Sequence, residues 1–311
     1  VRVRACALNH LDLWVRGGLP NVPIPLPHIP GSDIAGEIAE IGADVTTVKV
    51  RQKVVLAPGV SCGKCAACIA GLDNRCRQFS NLGYMINGGC AEFVKCPEVN
   101  CLPYPENLTF EQAAAIPLVF QTAWHMILTR AQLQPGEDIL ILGAGSGVGS
   151  AAIQIAAMFG ARIIATAGNT EKLEKAKQLG AHHLINHKTQ KIRDEVRRIT
   201  NKRGVDVVFE HVGTATWDES VASLAVGGRL ITCGATTGYD AKIDLRFLFT
   251  RQLSLLGSYM GVKSELATVM KLVAYGHLKP VIDRIVPLAA CAEAHRYLES
   301  GDQFGKVVLT V

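Results

Sequence analysis

Four of the ten cysteines fall in one short stretch, SCGKCAACIAGLDNRC, residues 61–76. Cys62, Cys65, Cys68 and Cys76 are spaced C-x2-C-x2-C-x7-C, as ligands that close round one metal ion are. Four thiolates complete the tetrahedron that Zn2+ prefers and leave no open position for water or substrate. The chemistry implied is structural, a single zinc clamping a loop. Lys64 and Arg75 lie within the same stretch and offset the net negative charge of such a centre. The competing readings, free core cysteines or disulfides, fit a polar, charged loop less well. The other six cysteines (Cys6, Cys90, Cys96, Cys101, Cys233 and Cys291) are spread along the chain and read as small core residues.

A second constellation is LGAGSGVGSAA, residues 142–152. Gly143, Gly145, Gly147 and Gly149 alternate with Ala144, Ser146 and Val148, so the strict G-x-G-x-x-G pattern is not met. The loop nevertheless follows an apolar strand and opens a helix. Glycines there let the backbone approach a pyrophosphate, and the helix N-terminus offers unpaired N–H groups. A tight strand–helix turn with no ligand is the competing reading. The next strand ends RIIATAGNTEK, with no carboxylate where an NAD site would place one against the ribose 2′-hydroxyl. Asn169 can donate a hydrogen bond there and Lys172 supplies positive charge, which favours NADP(H). NAD(H) stays open, because Glu171 is adjacent and Lys172 could simply be solvated.

The elements that must position these residues are of two kinds. Residues 1–115 are rich in glycine, proline and short β-branched runs (EIAEIG, KVVLAP, CAEFVKCP), the pattern of a mostly antiparallel β domain with long loops. From about residue 138, strands of four to six apolar residues alternate with helical segments: ILILGAG, RIIATAG, HHLINH, VDVVFEHVG and RLITCG, separated by amphipathic stretches such as TEKLEKAKQLG. That alternation predicts an α/β fold with a doubly wound parallel sheet covered on both faces. The tail reads strand–helix–strand. Residues 139–161 carry no charge and are long enough to cross a membrane, but five glycines, two serines and Gln154 split them into strand, turn and helix.

The chain has 311 residues, 49% of them apolar and 19% charged, with a net charge of +5. This composition supports a real core, and the modest, scattered charge argues against nucleic acid or a membrane as partner. Reduced cysteines and no visible targeting segment favour the cytoplasm. The chain opens with VRVRACALNH, without Met and already strand-like, so further residues upstream are expected.

NHLDLWVRGGLP, PHIPGSDIAGEIAEIG, the cysteine lobe, GGCAEFVKCP, AAAIPLVFQTAWHMI, the glycine loop and FGKVVLTV together resemble the medium-chain dehydrogenase/reductase superfamily, which includes zinc alcohol dehydrogenases and quinone oxidoreductases. The resemblance spans essentially the whole chain. It implies a GroES-like domain with the zinc lobe over 1–119, a Rossmann domain over 120–257 and a return to the first domain over 258–311. It also implies a homodimer or homotetramer acting on a small molecule. Thr122 would seat the cofactor near its nicotinamide end, and His211, Val212, Gly234 and Lys306 would lie in cofactor-facing loops.

The departures bear on the chemistry. Where zinc alcohol dehydrogenases hold a catalytic zinc, this chain has Asn9, Ser32 and Leu118. Asn and Ser are poor zinc ligands and Leu is none. Without a Lewis acid, lowering an alcohol's pKa is hard, whereas a quinone or enone delocalises the charge left by an arriving hydride. The expectation is NADPH-dependent reduction of such an acceptor without catalytic zinc. Asn9 would be the hydrogen-bond donor near substrate, His10 a phosphate contact, proton carrier or plain loop residue, and Asp12 an orienting group. An alcohol or aldehyde dehydrogenase of the zinc type and a non-catalytic NADPH-binding redox sensor are the rivals.

Overall fold

The computed structural model describes residues 1–19 and 22–311. The chain forms two compact units, one of Val1–Gln121 with Met260–Val311 and one of Thr122–Tyr259.

The first unit contains β1 (Arg2–Ala7), β2 (Asp33–Glu37), β3 (Lys53–Leu56), a short ribbon of β4 (Gly59–Val60) and β5 (Ser80–Asn81), and β6 (Cys101–Pro103). The second unit holds β7 (Asp138–Ile141), β8 (Arg162–Ala167), β9 (His183–Asn186), β10 (Val205–Glu210), β11 (Leu224–Thr232) and β12 (Ser254–Gly257). The tail returns to the first unit with β13 (Ile282–Pro287) and β14 (Lys306–Thr310).

In the first unit the main sheet runs β13-β14-β1-β2-β3-β6, antiparallel except for the β13–β14 pair. β1 lies between β2 and β14, with Ala5 opposite Thr310, so the last strand completes the sheet begun by the first. Its core is built on Val3, Cys6, Ile34, Val54, Leu56 and Leu82. Gly31 has φ +99°, and a side chain there would come within 2.5 Å of Cys6 Sγ and 2.8 Å of Cys90 Sγ. Only glycine suits that turn.

In the second unit six parallel strands run in the order β12-β11-β10-β7-β8-β9. β7, DILI, is buried throughout, as a central parallel strand covered on both faces must be. The helix Gly147–Met158 buries seven residues, Gly149 to Ile153, Ile155 and Ala156. This explains the uncharged run in the sequence as one strand and one core helix. Among the described residues no helix is long and apolar enough to cross a membrane. In the helix Thr170–Gln178, Leu173 and Ala176 face inward, and Glu171 pairs with Lys175 at 2.7 Å. The strand order reverses between β7 and β10, the switch point at which doubly wound sheets take ligands.

Candidate active site and metal centre

Cys65 caps the short helix Ala66–Ile69, and the turn before it brings Cys62 alongside. The Sγ–Sγ distances are 3.9 Å for Cys62–Cys68, 3.6 Å for Cys65–Cys68 and 3.5 Å for Cys62–Cys76. Four sulfurs about 2.3 Å from a tetrahedral zinc lie about 3.8 Å apart, so this set has the dimensions of a structural zinc site. All four sulfurs fall within 4.8 Å of one another, and no other such group of three or more His, Cys, Asp or Glu ligands occurs among the described residues. Backbone amides of Lys64 and Cys65 pull the Cys62 thiol down to about 6, which favours the thiolate a metal binds. Gln78 N donates to Cys76 Sγ at 3.3 Å. A cation distant in sequence also serves the lobe: Lys263 Nζ donates to Asp73 Oδ2 at 2.9 Å and to Ser61 Oγ at 3.4 Å.

The switch point carries the glycine loop. Ser146 caps the helix Gly147–Met158, its Oγ accepting from Gly149 N at 2.9 Å. A Cβ on Gly149 would sit 2.4 Å from Gly143 O, and one on Gly143 (φ +57°) 3.0 Å from the His211 ring. His211 Nε2 donates to Leu142 O at 2.9 Å, which fixes its tautomer, and burial holds its pKa below the ordinary value. Glu210 Oε1 accepts from Val212 N at 2.9 Å and from Thr216 Oγ1 at 2.7 Å, shaping the loop after β10. Gly234 lies close behind it, and a Cβ there would sit 2.9 Å from His211 O. A cavity of about 420 Å3 opens here, lined by Gly143, Thr166, His187, Val212, Thr216 and Thr237 among others. The buried Thr122 Oγ1 has no hydrogen-bond partner among the described residues. Gly145, Gly147 and Val148 complete the loop.

At the end of β8, Asn169 caps the next helix by accepting from Lys172 N at 2.9 Å. Two further residues crowd Gly168. A Cβ there would be 3.1 Å from Lys188 Cε and 3.3 Å from His187 Nε2. Burial first, then the charges of Lys188 and Lys172, lower the His187 pKa. Sequence reasoning placed Asn169 and Lys172 here but missed His187 and Lys188. They follow β9, the parallel neighbour of β8, so the signal was the HKT just after the next strand.

In the first unit the positions singled out by resemblance meet. Asp33 Oδ1 accepts from Leu118 N at 2.7 Å, and Asp33 Oδ2 accepts from Asn9 Nδ2 at 2.9 Å and from Lys306 Nζ at 2.8 Å. Lys306 Nζ also donates to Asn9 Oδ1 at 2.5 Å. Ser32 is fully buried, and its Oγ has no partner among the described residues. Asp12 accepts from Asn9 N at 2.7 Å and from Gly31 N at 2.8 Å, and complete burial raises its pKa to about 6. His10 begins the adjacent helix, its ring 6.5 Å from that of Trp14. Lys306, expected in a loop, is instead the first residue of β14 and 3% exposed. An ammonium buried in this way must face a carboxylate, and Asp33 is that partner. The Asn9 amide, expected to face substrate, is bonded to Asp33 and to Ala7 O.

A family model described as alcohol dehydrogenase GroES-like domain matches residues 1–106, and one described as zinc-binding dehydrogenase matches residues 147–275. An NAD-dependent alcohol dehydrogenase of Sulfolobus acidocaldarius is 33% identical, with the alignment covering 100% of this chain and 91% of the relative. A quinone oxidoreductase of Homo sapiens is 29% identical over 99% of this chain and 88% of its own length. Among solved structures, one described as an NAD-dependent alcohol dehydrogenase superposes with a TM-score of 0.96 at 47% identity, covering 100% of this chain and 91% of that one.

Proposed function

Since the chain belongs to the medium-chain dehydrogenase/reductase superfamily, as an NAD(P)-dependent oxidoreductase with a four-cysteine zinc site, we propose that it interconverts a small carbonyl compound and its alcohol, in the manner of an alcohol dehydrogenase, without a second zinc. The observation that carries the metal-free part is the position of Lys306 Nζ, 2.5 Å from Asn9 Oδ1 and 2.8 Å from Asp33 Oδ2. A divalent ion brought to residues 9, 32 and 118 would meet an ammonium, an amide, a hydroxyl and a leucine. That donor set does not fit zinc. The alcohol dehydrogenase reading is supported by the 47% identical neighbour and by the Sulfolobus relative.

A bound nicotinamide coenzyme would supply or accept the hydride. The glycine loop Gly143–Gly149 would hold its pyrophosphate, with His211 and Glu210 fixing the facing loop and Thr122 offering a hydroxyl. His187 and Lys188 beside Gly168, with Lys172 close enough to act on the His187 charge, would make a basic pocket suited to a 2′-phosphate, which supports NADP(H) over NAD(H). Lys306, Asp33 and Asn9 hold one another. Their role is to fix the start of the helix Pro117–Trp124 through Leu118 N.

Reduction of a quinone or enone is the second reading. The same donor set favours it, because such acceptors need no metal, and the human quinone oxidoreductase supports it. One panel separates the two: NADPH and NADH oxidation with aldehydes, ketones, enones and quinones, and the reverse reaction with alcohols, each with and without a chelator. Chelator-resistant carbonyl reduction is expected. Turnover confined to quinones and enones would favour the second reading, and alcohol oxidation abolished by chelation would overturn the metal-free site.

A further inference from the structure

Outside the zinc lobe, further sulfurs lie close among the described residues, and Cys90 is in contact with both Cys6 and Cys291. Cys6 Sγ is 3.9 Å from Cys90 Sγ, with Cys6 completely buried. Cys96 Sγ is 3.7 Å from Cys101 Sγ, and both residues are partly exposed. The second pair flanks the single 3-10 turn Glu98–Asn100, and that turn is pinned on both sides. Glu98 Oε2 accepts from Thr46 N at 3.0 Å, Thr47 N at 2.8 Å and Thr47 Oγ1 at 2.6 Å. Asn100 Nδ2 donates to Ala57 O and Gly59 O, each at 2.7 Å. Cys101 is held opposite Leu56 on β3. Two thiols kept in contact by a fixed turn react with each other as if at very high concentration.

We infer that Cys96 and Cys101 are a peroxide-oxidisable dithiol that closes to a disulfide across the Glu98–Asn100 turn. The two sulfurs are chemically unequal. As a thiolate, Cys96 accepts a hydrogen bond from the Cys101 thiol, which lowers the Cys96 pKa and raises that of Cys101. Cys96 is therefore the attacking sulfur and Cys101 the resolving one. The Cys96 thiolate attacks one oxygen of hydrogen peroxide. The O–O bond breaks, the departing hydroxide takes up a proton to leave as water, and Cys96 becomes a sulfenic acid. Cys101 sulfur then attacks Cys96 sulfur; the S–S bond forms, the S–O bond breaks, and the Cys101 proton leaves with the hydroxyl as a second water. Two thiols lose two electrons and two protons, and one peroxide becomes two waters. Closure asks the sulfurs to approach by about 1.7 Å, within reach of side-chain rotation. The site is independent of the zinc and of the hydride chemistry.

The test uses the whole zinc-loaded chain, treated with hydrogen peroxide, then alkylated and digested with trypsin. Cleavage after Lys95 and Arg130 gives peptide 96–130, which contains Cys96 and Cys101 and no other cysteine. The expected result is loss of both alkyl tags from this peptide and a mass two hydrogens lighter, reversed by dithiothreitol, with zinc content unchanged. In Cys101→Ser the same treatment should leave Cys96 trapped by dimedone as a sulfenic acid. Retention of both tags at peroxide doses that oxidise other cysteines would overturn the inference, as would a disulfide joining either residue to a different cysteine. The wild-type peptide decides this even if the variant does not fold.

Discussion

Lys306 Nζ lies 2.8 Å from Asp33 Oδ2, with the lysine side chain 3% and the aspartate 0% exposed. The last strand of the chain thus supplies the counter-charge for a carboxylate on β2, next to the position where zinc alcohol dehydrogenases place a ligand. Removing one partner leaves the other charge buried and alone, which costs about 3–5 kcal/mol. Lys306→Met should therefore lose stability of that order in denaturant unfolding. Adding Asp33→Asn to it should recover part of the loss. A single-variant cost under about 1 kcal/mol would mean the pair does not hold this site together.

Asp12 gives a pH dependence of defined sign. Its pKa rises from the ordinary aspartate value of 3.8 to about 6 on folding because the carboxyl is fully buried. The folded state therefore binds the proton more tightly, so the stability linked to Asp12 is fully present below pH 3.8 and is lost as pH rises through 6. Compared with Asp12→Asn, the wild type should gain about 1.5 kcal/mol on going from pH 8 to pH 5. The readout is the difference in unfolding free energy between the two proteins across that range. A pH-independent difference would show that Asp12 is not the titrating group.

Cofactor choice should follow the pocket at Gly168. Lys188→Ala is expected to weaken NADPH roughly tenfold while NADH changes little, since a 2′-phosphate bound beside Gly168 would be the part of the coenzyme that meets the lysine. His187, whose pKa is lowered in the free protein, gains a favourable partner when the phosphate binds. The NADPH preference should then grow as pH falls from 8 to 6. Fluorescence titration of both coenzymes at several pH values measures it, and a preference unaffected by Lys188→Ala would locate the selectivity elsewhere.

The zinc lobe has its own signature. Cys76→Ser removes one of four sulfurs that all lie within 4.8 Å of one another. It should release zinc to a colorimetric chelator and lower Tm by roughly 10 °C. Equal zinc retention in wild type and variant would contradict four-cysteine ligation.

Much of this was legible in the sequence where the signal is local. The spacing of Cys62, Cys65, Cys68 and Cys76 is itself the geometry of the site, and the alternation from ILILGAG onward reflects a sheet buried on both faces. What escaped depends on contacts across the fold. Lys306 and Asn9 are separated by 297 positions, and Lys263 reaches Asp73 across 190. No periodicity joins such residues; sheet order does. His187 and Lys188 became visible only once β9 was seen beside β8. The reading of Asn9 as a donor to substrate treated an amide as available when a neighbouring carboxylate and ammonium already held it.

The most direct test of the central claim is zinc per chain, measured by mass spectrometry of metals on protein that turns over a carbonyl substrate with NADPH or NADH. The account predicts one zinc per chain, bound by the four cysteines, with turnover unchanged when zinc is added. Two zinc ions per chain, with turnover lost when the second is withdrawn, would contradict it.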